Sequence, residues 1–463
     1  MQLRDYQIKG KEDLRSGFRS GHKRGLYVAS TGAGKTVTFV SIVLDAVAKG
    51  SRVWIIAHRE KLIRQAGQHF KGMKFGFISP KFTEITEAQI QICMVQTLIK
   101  RIDRLPAPDI IIIDEAHRSL GSQYVEIIKR HSKAILIGFT ATPQRTDGRG
   151  LSEMYDFMAI CSKTTKQLID EGHLSKYKYF SAEREADFSR AKQSGGDYRQ
   201  ADRENITKES GIIGDCVKEY ERHAKGKSGL VFTDGIASAH EVAVLFNEAG
   251  YSAVAISGKD STSVQNDALL GLETGKYLIV VSCDLLSEGV DVPSVTYCGM
   301  LRATTSIVVF LQQIGRVLRY FPDKVAIIVD HVQNWKRHDF PCTDREWSLE
   351  GEVKRPKERG EEAFRCPKCL QMFPIDVIDP NCGYDPNECM FRKPKERIEE
   401  AEKAIQEELK RIELEELNVE QIKRDRARMI AQAESISELK EVAKILGYNQ
   451  KWAYHIFNAR KSK

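Results

Sequence analysis

Four consecutive isoleucines, Ile110 to Ile113, run straight into Asp114-Glu115-Ala116-His117. β-Branched side chains favour strands over helices. With Pro108 in front and an acidic pair behind, the run is short and wholly apolar, the pattern of a strand buried on both faces in a parallel sheet. Parallel neighbours need long crossovers, usually helical, so this one feature commits the chain to an alternating α/β fold. Such sheets bind ligands beyond the carboxyl ends of their strands, where this strand delivers two carboxylates. Asp-Glu at that edge suits a magnesium ion and an activated water, the two needs of nucleotide hydrolysis. Taken alone, the tetrapeptide fits equally well a strand end with a solvated acidic turn.

A second motif upstream breaks the tie. The apolar Leu26, Tyr27 and Val28 lead into Ser30-Thr31-Gly32-Ala33-Gly34-Lys35-Thr36, and the periodic Val37, Phe39, Val40, Ile42 and Val43 follow. That order is strand, glycine loop, helix. Backbone N–H groups of such a loop curl around phosphate oxygens and the helix start adds its positive dipole. Lys35 reaches the outer phosphates and the Thr36 hydroxyl goes to magnesium. Ala29 stands where this loop usually has its first glycine, a small residue that should fit. The reading is an ATP or GTP site.

At 463 residues the chain is too long for one core, and about three domains is the prior. With 41% hydrophobic and 29% charged residues it is globular, and it has no apolar run near a membrane span. Met1-Gln2-Leu3-Arg4-Asp5 is no signal peptide, so the expected location is cytoplasmic, in a bacterial cell or phage-infected host. A net charge of +7 favours polyanion partners only mildly. Of ten cysteines, Cys93, Cys161, Cys216, Cys283, Cys298 and Cys342 are scattered, mostly in apolar surroundings, and read as reduced core residues. Four cluster between Cys366 and Cys389, which suggests metal rather than disulfides.

Strand and helix signals alternate twice. Strands are expected at 26–29, 53–57, 91–95, 110–113 and 134–139, and again at 229–233, 252–256, 278–282, 294–299 and 325–330. A polar stretch from Arg184 to Arg203 separates the blocks. Only the first block has a phosphate loop, so the second serves the shared nucleotide differently or serves another ligand.

The motif series resembles a superfamily 2 helicase of the DEAD/DEAH-box group that includes the XPB-like, RecG-like and type III restriction ATPases. Leu3-Arg4-Asp5-Tyr6-Gln7 is similar to that family's adenine-recognition element, which implies that Gln7, aided by Arg4, reads the base. The phosphate loop and Asp114-Glu115-Ala116-His117 match its first two ATPase motifs, and Thr140-Ala141-Thr142-Pro143 its third. Ala57-His58-Arg59-Glu60-Lys61-Leu62 and Met94-Val95-Gln96-Thr97-Leu98 occupy the positions of two nucleic-acid-contacting motifs. Gly229-Leu230-Val231-Phe232-Thr233 resembles the fourth motif, and Ser287-Glu288-Gly289-Val290-Asp291-Val292-Pro293 the fifth, which implies Gly289 and Asp291 near the nucleotide. Gln312-Gln313-Ile314-Gly315-Arg316-Val317-Leu318-Arg319 fits the sixth. The series covers roughly residues 1–340 in family order.

The resemblance implies two tandem RecA-like parallel-sheet domains, at 1–170 and 171–345; beyond them the residues themselves read as a linker and zinc knuckle (346–392), a long helix or helical hairpin (393–434) and a small basic helical pair (435–463). Asp114 holds magnesium in this reading, with Thr36, and Glu115 orients and deprotonates the attacking water. Ser30, Thr31, Gly32, Ala33 and Gly34 cradle the phosphates. Arg316 and Arg319, three apart on a helix, share one face and both point into the cleft, completing the site when the two domains close. His117, too soft a ligand for magnesium, links to the second domain together with Thr140, Thr142 and Gln312. His58, Arg59, Gln96, Thr97, Arg118, Arg302 and Thr304 are nucleic-acid candidates by motif position, contacting phosphates without sequence preference.

Beyond Asp344, the charged stretch from Glu350 to Glu362 reads as a linker. Cys366-Pro367-Lys368-Cys369 is half of a zinc knuckle. Cys382 and Cys389 complete a structural four-thiolate site, unless the site uses Asp379, or has decayed and binds no metal. Ser435 and Glu438 form a capping box, Leu439, Val442, Ala443 and Leu446 an apolar face, and Trp452, Ile456 and Ala459 the facing side of a last helix. Its basic end suits nucleic acid or a partner protein, and a packing extension equally well. The expected activity is an ATP-dependent DNA helicase or translocase in replication, recombination or repair. Its rivals are an RNA helicase, a double-strand translocase that does not separate strands, and a nucleotide-gated clamp. Leu301-Arg302-Ala303-Thr304 has an XPB-like look that favours DNA over RNA, and no membrane is involved.

Overall fold

The computed structural model describes residues 2–58, 67, 70, 72–80, 87–184, 186–283, 292–351, 364–366, 369–373, 427–446 and 449–461. They fall into two units, Met1–Val377 and Ile378–Lys463. The first unit holds two parallel sheets. In the first sheet β1 is Arg24–Val28, β2 Val53–Ala57, β3 Phe75–Ile78, β4 Ile90–Met94, β5 Ile110–Asp114, β6 Ile135–Thr140 and β7 Phe157–Ile160. Their order is β3-β4-β2-β5-β6-β1-β7, with every pairing parallel.

The isoleucine run explains the centre of this sheet. β5 lies between β2 and β6, and Ile112 packs on one face with Phe39, Val40 and Val43 of the helix Lys35–Val47. Ile111 and Ile113 pack on the other with Tyr124 and Ile127 of the helix Ser122–Arg130. A strand covered on both faces has no polar side to offer, hence four isoleucines without alternation. Because all seven strands run the same way, the loops after β1, β2, β4, β5 and β6 gather on one edge.

The second sheet comprises β8 Lys176–Ser181, β11 Gly229–Thr233, β12 Ala253–Ser257, β13 Ile279–Cys283, β14 Tyr297–Met300 and β15 Val325–Asp330. Its order is β12-β13-β11-β14-β15-β8, again all parallel. Eight of the ten expected strands lie within a residue of their observed bounds, whereas β1 begins at Arg24 rather than Leu26 and β14 at Tyr297 rather than Ser294. The sequence reading missed β3, β7 and β8, which are short or half polar. The polar stretch after Arg184 contains a small hairpin, β9 Gln193–Ser194 with β10 Asp197–Tyr198. Its turn, Gly195-Gly196, takes φ of 64° and 87°, the left-handed pair that a two-residue hairpin turn requires.

After β15 the chain forms a short helix, Asn334–His338, and an extended segment to Gly351. Glu350 and Gly351, expected to open a linker, are instead docked: Ser152 Oγ donates to Glu350 Oε2 at 3.1 Å, and Gly351 pairs antiparallel with Arg149. The hairpin β16 Phe364–Arg365 and β17 Met372–Phe373 brackets Cys366 and Cys369, both buried. Cys93, Cys161, Cys216, Cys283 and Cys298 are buried as expected, and Cys342 is half-buried. Among the described residues no helix is long and apolar enough to cross a membrane.

In the second unit, helices Ile436–Ile445 and Gln450–Lys461 share a core of Leu439, Val442, Ala443 and Ala453, flanked by Trp452 and Ile456. The Ser435–Glu438 capping box forms as expected. Ala459, expected on the apolar side, is exposed, and Ala453 fills that face instead. Most of the stretch expected as a long helix, 393–434, lies outside the described residues.

Candidate functional site

The glycine loop sits between β1 and the helix Lys35–Val47. Gly32 and Gly34 adopt φ of 86° and 79°, left-handed values that glycine takes without strain. Space is a second reason at Gly34: a Cβ there would lie 2.4 Å from Gln7 Nε2. Ala29 is buried and its N–H donates to the Thr140 carbonyl at 3.1 Å, so the missing glycine is absorbed as an extension of the sheet. Lys35 Nζ donates to the carbonyls of Ala29 (3.0 Å) and Ser30 (3.3 Å).

Gln7 is engaged at both ends. Its Oε1 accepts from the Arg4 N–H at 2.9 Å, and its Nε2 donates to the carbonyls of Ala33 (3.4 Å) and Gly34 (3.3 Å). Tyr6, which the sequence reading passed over, does the same work: its hydroxyl donates to Ala33 O (3.2 Å) and accepts from the Arg4 guanidinium (3.0 Å). The first helix thus grips the phosphate loop. Its position between Arg4 and Gln7 was the signal for Tyr6.

Across the sheet edge, β5 ends on Asp114. Glu115 then takes left-handed φ and ψ, both 53°, unusual for a residue with a side chain. Such a conformation costs about 1–3 kcal/mol and is typical of functional sites. The turn is secured by Asp114 Oδ1, which accepts the Glu115 N–H at 3.0 Å. Burial and repulsion from Glu115 hold the Asp114 carboxyl well above the ordinary carboxylate range, with Lys35 opposing. Two adjacent carboxylates buried together are relieved by a divalent cation, and hard oxygen donors are what magnesium takes. Asp114 and the half-buried Thr36, which opens the neighbouring helix, fit that ion.

His117 is buried and stands among three other motifs. Its Nδ1 lies 3.4 Å from Thr140 Oγ1 and 3.5 Å from Glu115 Oε2, and its Nε2 lies 3.5 Å from Gln312 Nε2. Thr140 Oγ1 in turn donates to Thr142 O at 2.8 Å and accepts the Thr142 N–H at 3.1 Å. Gln312 belongs to the helix Ile307–Val317 of the second sheet, so this chain of contacts crosses from one sheet to the other.

The same helix seats itself on the phosphate loop. A Cβ on Gly315 would meet Thr31 Cβ at 2.4 Å, so only glycine permits the approach. A Cβ on Gly32 would lie 2.8 Å from Leu174 Cδ2 and in ordinary contact, 3.7 Å, with Arg319 Cγ. Arg316 is buried. Burial lowers the Lys35 ammonium from its usual value, Glu115 and Asp114 oppose this, and Arg316 and Arg319 add to it. Lys35, both acids and both arginines therefore lie within one electrostatic neighbourhood.

The nucleic-acid candidates divide. His58 directly follows β2 and its carbonyl accepts from Gln96 Nε2 at 3.5 Å, with Gln96 exposed. Arg118 is exposed, whereas Thr97 is buried. Arg302 and Thr304 are both buried and engaged internally. Arg302 pairs with Asp197 Oδ2 at 3.3 Å, and Thr304 Oγ1 accepts the Ser306 N–H at 3.0 Å ahead of the helix that carries Arg316. Arg59, Gly289, Asp291, Asp379, Cys382 and Cys389 lie outside the described residues.

Residues 1–145 match the family described as type III restriction enzyme, res subunit, and residues 212–321 match the helicase conserved C-terminal domain. A 51.5 kDa protein of a Lactococcus phage (isolate 7-9) is 33% identical over 358 residues, 76% of either chain. The chain belongs to the superfamily 2 helicases. Members of that family hydrolyse ATP, and this helicase is an ATPase with them. It is 28% identical to the ATP-dependent helicase IRC3 of Saccharomyces cerevisiae over 348 residues, 70% of this helicase but 50% of the yeast protein. It is 24% identical to the DNA 3'-5' translocase XPB2 of Sulfurisphaera tokodaii over 377 residues, 72% of this helicase and 82% of that protein. A fragment of a type I restriction enzyme HsdR subunit from Vibrio vulnificus superposes with a TM-score of 0.59 at 20% identity, over 73% of this helicase and 65% of that chain. At that identity the superposition speaks to the fold.

Proposed function

We propose that this helicase is a DNA-directed motor whose split active site hydrolyses ATP when its two sheets close on one another. The observation that carries the reading is the His117 contact, which joins the acidic pair, Thr140 and Gln312 across the two halves. In this reading the domains run over 1–170 and 171–345. Asp114 and Thr36 hold magnesium, which neutralises the outer phosphates. Glu115 takes the proton of the attacking water. Lys35, Arg316 and Arg319 balance the charge that builds on the transferred phosphoryl group. His117, Thr140, Thr142 and Gln312 pass the nucleotide state to the second sheet. Gln7 and Arg4 brace the loop beside the base.

The DNA assignment draws on the XPB2 relative. His58, Gln96 and Arg118 remain the described candidates for the strand, and binding through phosphates makes affinity salt-dependent rather than sequence-dependent. ATP turnover measured alone and with single-stranded DNA, duplex DNA and RNA tests the reading. Stimulation of about tenfold or more by one DNA form is expected, as positioning by closure implies. Lack of any polymer effect would remove the motor reading, and stimulation confined to RNA would remove the DNA one.

Between β16 and β17 the Leu370 N–H donates to Cys366 O at 2.9 Å, and Cys366 and Cys369 are both buried. We propose that Cys366 and Cys369 contribute to a structural zinc site, the other expected ligands lying outside the described residues, among which no group of three or more metal-ligating side chains occurs. One zinc per purified chain is expected, falling in Cys366→Ser; equal and negligible zinc in both rejects the site.

A further inference from the structure

The segment after the last strand of the second sheet does not stay with that sheet. Phe340 to Cys342 is tied to it: the Phe340 ring packs on Tyr179 of β8 with centroids 5.5 Å apart, and Cys342 Sγ lies 2.9 Å from Tyr177 Oη, while the Arg345 guanidinium pins the turn by donating to the carbonyls of His338 (2.7 Å), Phe340 (3.0 Å) and Thr343 (2.8 Å). The chain then crosses to the first sheet. Trp347 and Leu349 pack against the buried cluster of Leu151, Met154 and Tyr155. The Leu349 carbonyl accepts two N–H groups, from Leu151 at 2.7 Å and Ser152 at 3.0 Å. Further on, the cysteine hairpin lies back on β8 of the second sheet, where Leu370 O accepts the Ser181 N–H at 3.1 Å and Arg365 donates to Ala182 O at 2.6 Å.

The receiving loop on the first sheet, Arg145 to Ser152, directly follows Thr140-Ala141-Thr142-Pro143. Its shape is fixed by Asp147, whose carboxylate accepts from Arg149 Nη2 at 2.7 Å and which that contact holds below the usual carboxylate range. Two glycines show how closely second-sheet elements approach it. A Cβ on Gly150 would lie 1.9 Å from Leu349 O, and a Cβ on Gly196, at the tip of the β9–β10 hairpin, would lie 2.1 Å from Asp147 Cα. The hairpin also reaches the arginine helix: Asp197 Oδ1 accepts the Thr305 N–H at 2.8 Å, two residues before that helix begins. Between the crossing segment, the phosphate loop and the helix lies a cavity of about 310 Å³, lined by Ser30, Thr31, Gly315, Leu318, Arg345 and Trp347.

We infer that residues 341–351 are an interdomain staple that positions the arginine helix against the phosphate loop, so that Arg316 and Arg319 stay within reach of Lys35 between polymer-binding events. The staple touches no reacting atom and acts through the placement of Gly315 on Thr31. The inference rests on the assignment of Lys35 and Arg316 given above. Two-state closure is shifted only by contacts present in one state, and the staple's contacts to Leu151 and Ser152 need both sheets together.

Gly150→Val is the test. Gly150 lies outside the left-handed region, so valine strains little except the docked Leu349 backbone. Polymer-free kcat is expected to fall about tenfold, with affinity for a fluorescent ATP analogue within about twofold, because the loop of the first sheet is intact. Saturating single-stranded DNA, which also brings the halves together, restores turnover to within about threefold. Unchanged or raised polymer-free turnover overturns the staple. A cross-link guards against misfolding: in Ser152→Cys with Glu350→Cys, oxidation should join the pair, detected by mass spectrometry, with single-turnover hydrolysis kept. Failure to join, or loss of hydrolysis on joining, counts against it. Arg316→Ala separates the two ideas, since full activity there would remove the catalytic assignment while leaving a response to Gly150→Val in place.

Discussion

Replacing Glu115 with glutamine is expected to lower ATP turnover by about 10²–10⁴-fold, the range for losing a general base, while ATP stays bound. Glutamine keeps the length and shape of glutamate, so the left-handed turn at φ 53° and the seat of His117 should survive. What goes is the carboxylate that accepts the proton of water. The change also removes the repulsion that raises Asp114, leaving that carboxylate more readily ionised for magnesium. ATP affinity should therefore hold or tighten. Phosphate release beside equilibrium binding of a fluorescent nucleotide reads both quantities. Turnover above a tenth of wild type would give the proton to another group.

Arg316→Ala should have an effect of comparable or greater size, about 10³–10⁵-fold in single-turnover hydrolysis, the range measured for arginines donated across a cleft. Arg316 is buried, and its neighbour Gly315 is pressed against Thr31 of the phosphate loop. Its charge acts on Lys35 from the opposite sheet. Removing it leaves the first-sheet half of the site whole, so nucleotide binding should change far less than turnover. Arg316→Lys keeps the charge but not the planar fork, and should recover only part of the loss. A melting curve beside the kinetics separates lost chemistry from lost packing. Equal falls in nucleotide binding and turnover would place Arg316 in ground-state binding instead.

The parallel sheets were legible because they are built from patterns that sequence displays directly. Ile110 to Ile113 and Val53 to Ala57 are apolar at every position, which only a strand covered on both faces tolerates. The glycine loop announces itself through Gly32 and Gly34, whose left-handed φ few other residues accept. The sequence placed the acids, Lys35 and the two arginines in separate elements. The structure brings the two acids and the two arginines within electrostatic reach of Lys35, the meeting on which the proposed roles rest. Less visible were features that depend on contacts distant in sequence. Nothing in Lys176 to Ser181, alternating lysine and aromatic, marks a sheet edge that a later hairpin will cover. Arg302 looks like a phosphate ligand until Asp197, more than a hundred residues earlier, is seen beside it. Glu350 and Gly351 look like linker because their partners, Ser152 and Arg149, lie about two hundred residues earlier in the chain.

The contacts around His117 have a consequence for reversibility. At 3.4–3.5 Å each is near the long end of hydrogen-bond geometry, where attraction is already weak. A tight, fully bonded joint between the sheets would resist separation in every cycle and trap the spent nucleotide. Of the three, the Gln312 contact is the one that crosses to the second sheet, and in the proposed coupling a contact that long would release at little cost. If the proposed coupling holds, this contact would part first when the sheets separate, while the backbone bonds of the staple at Leu349 hold the halves near one another.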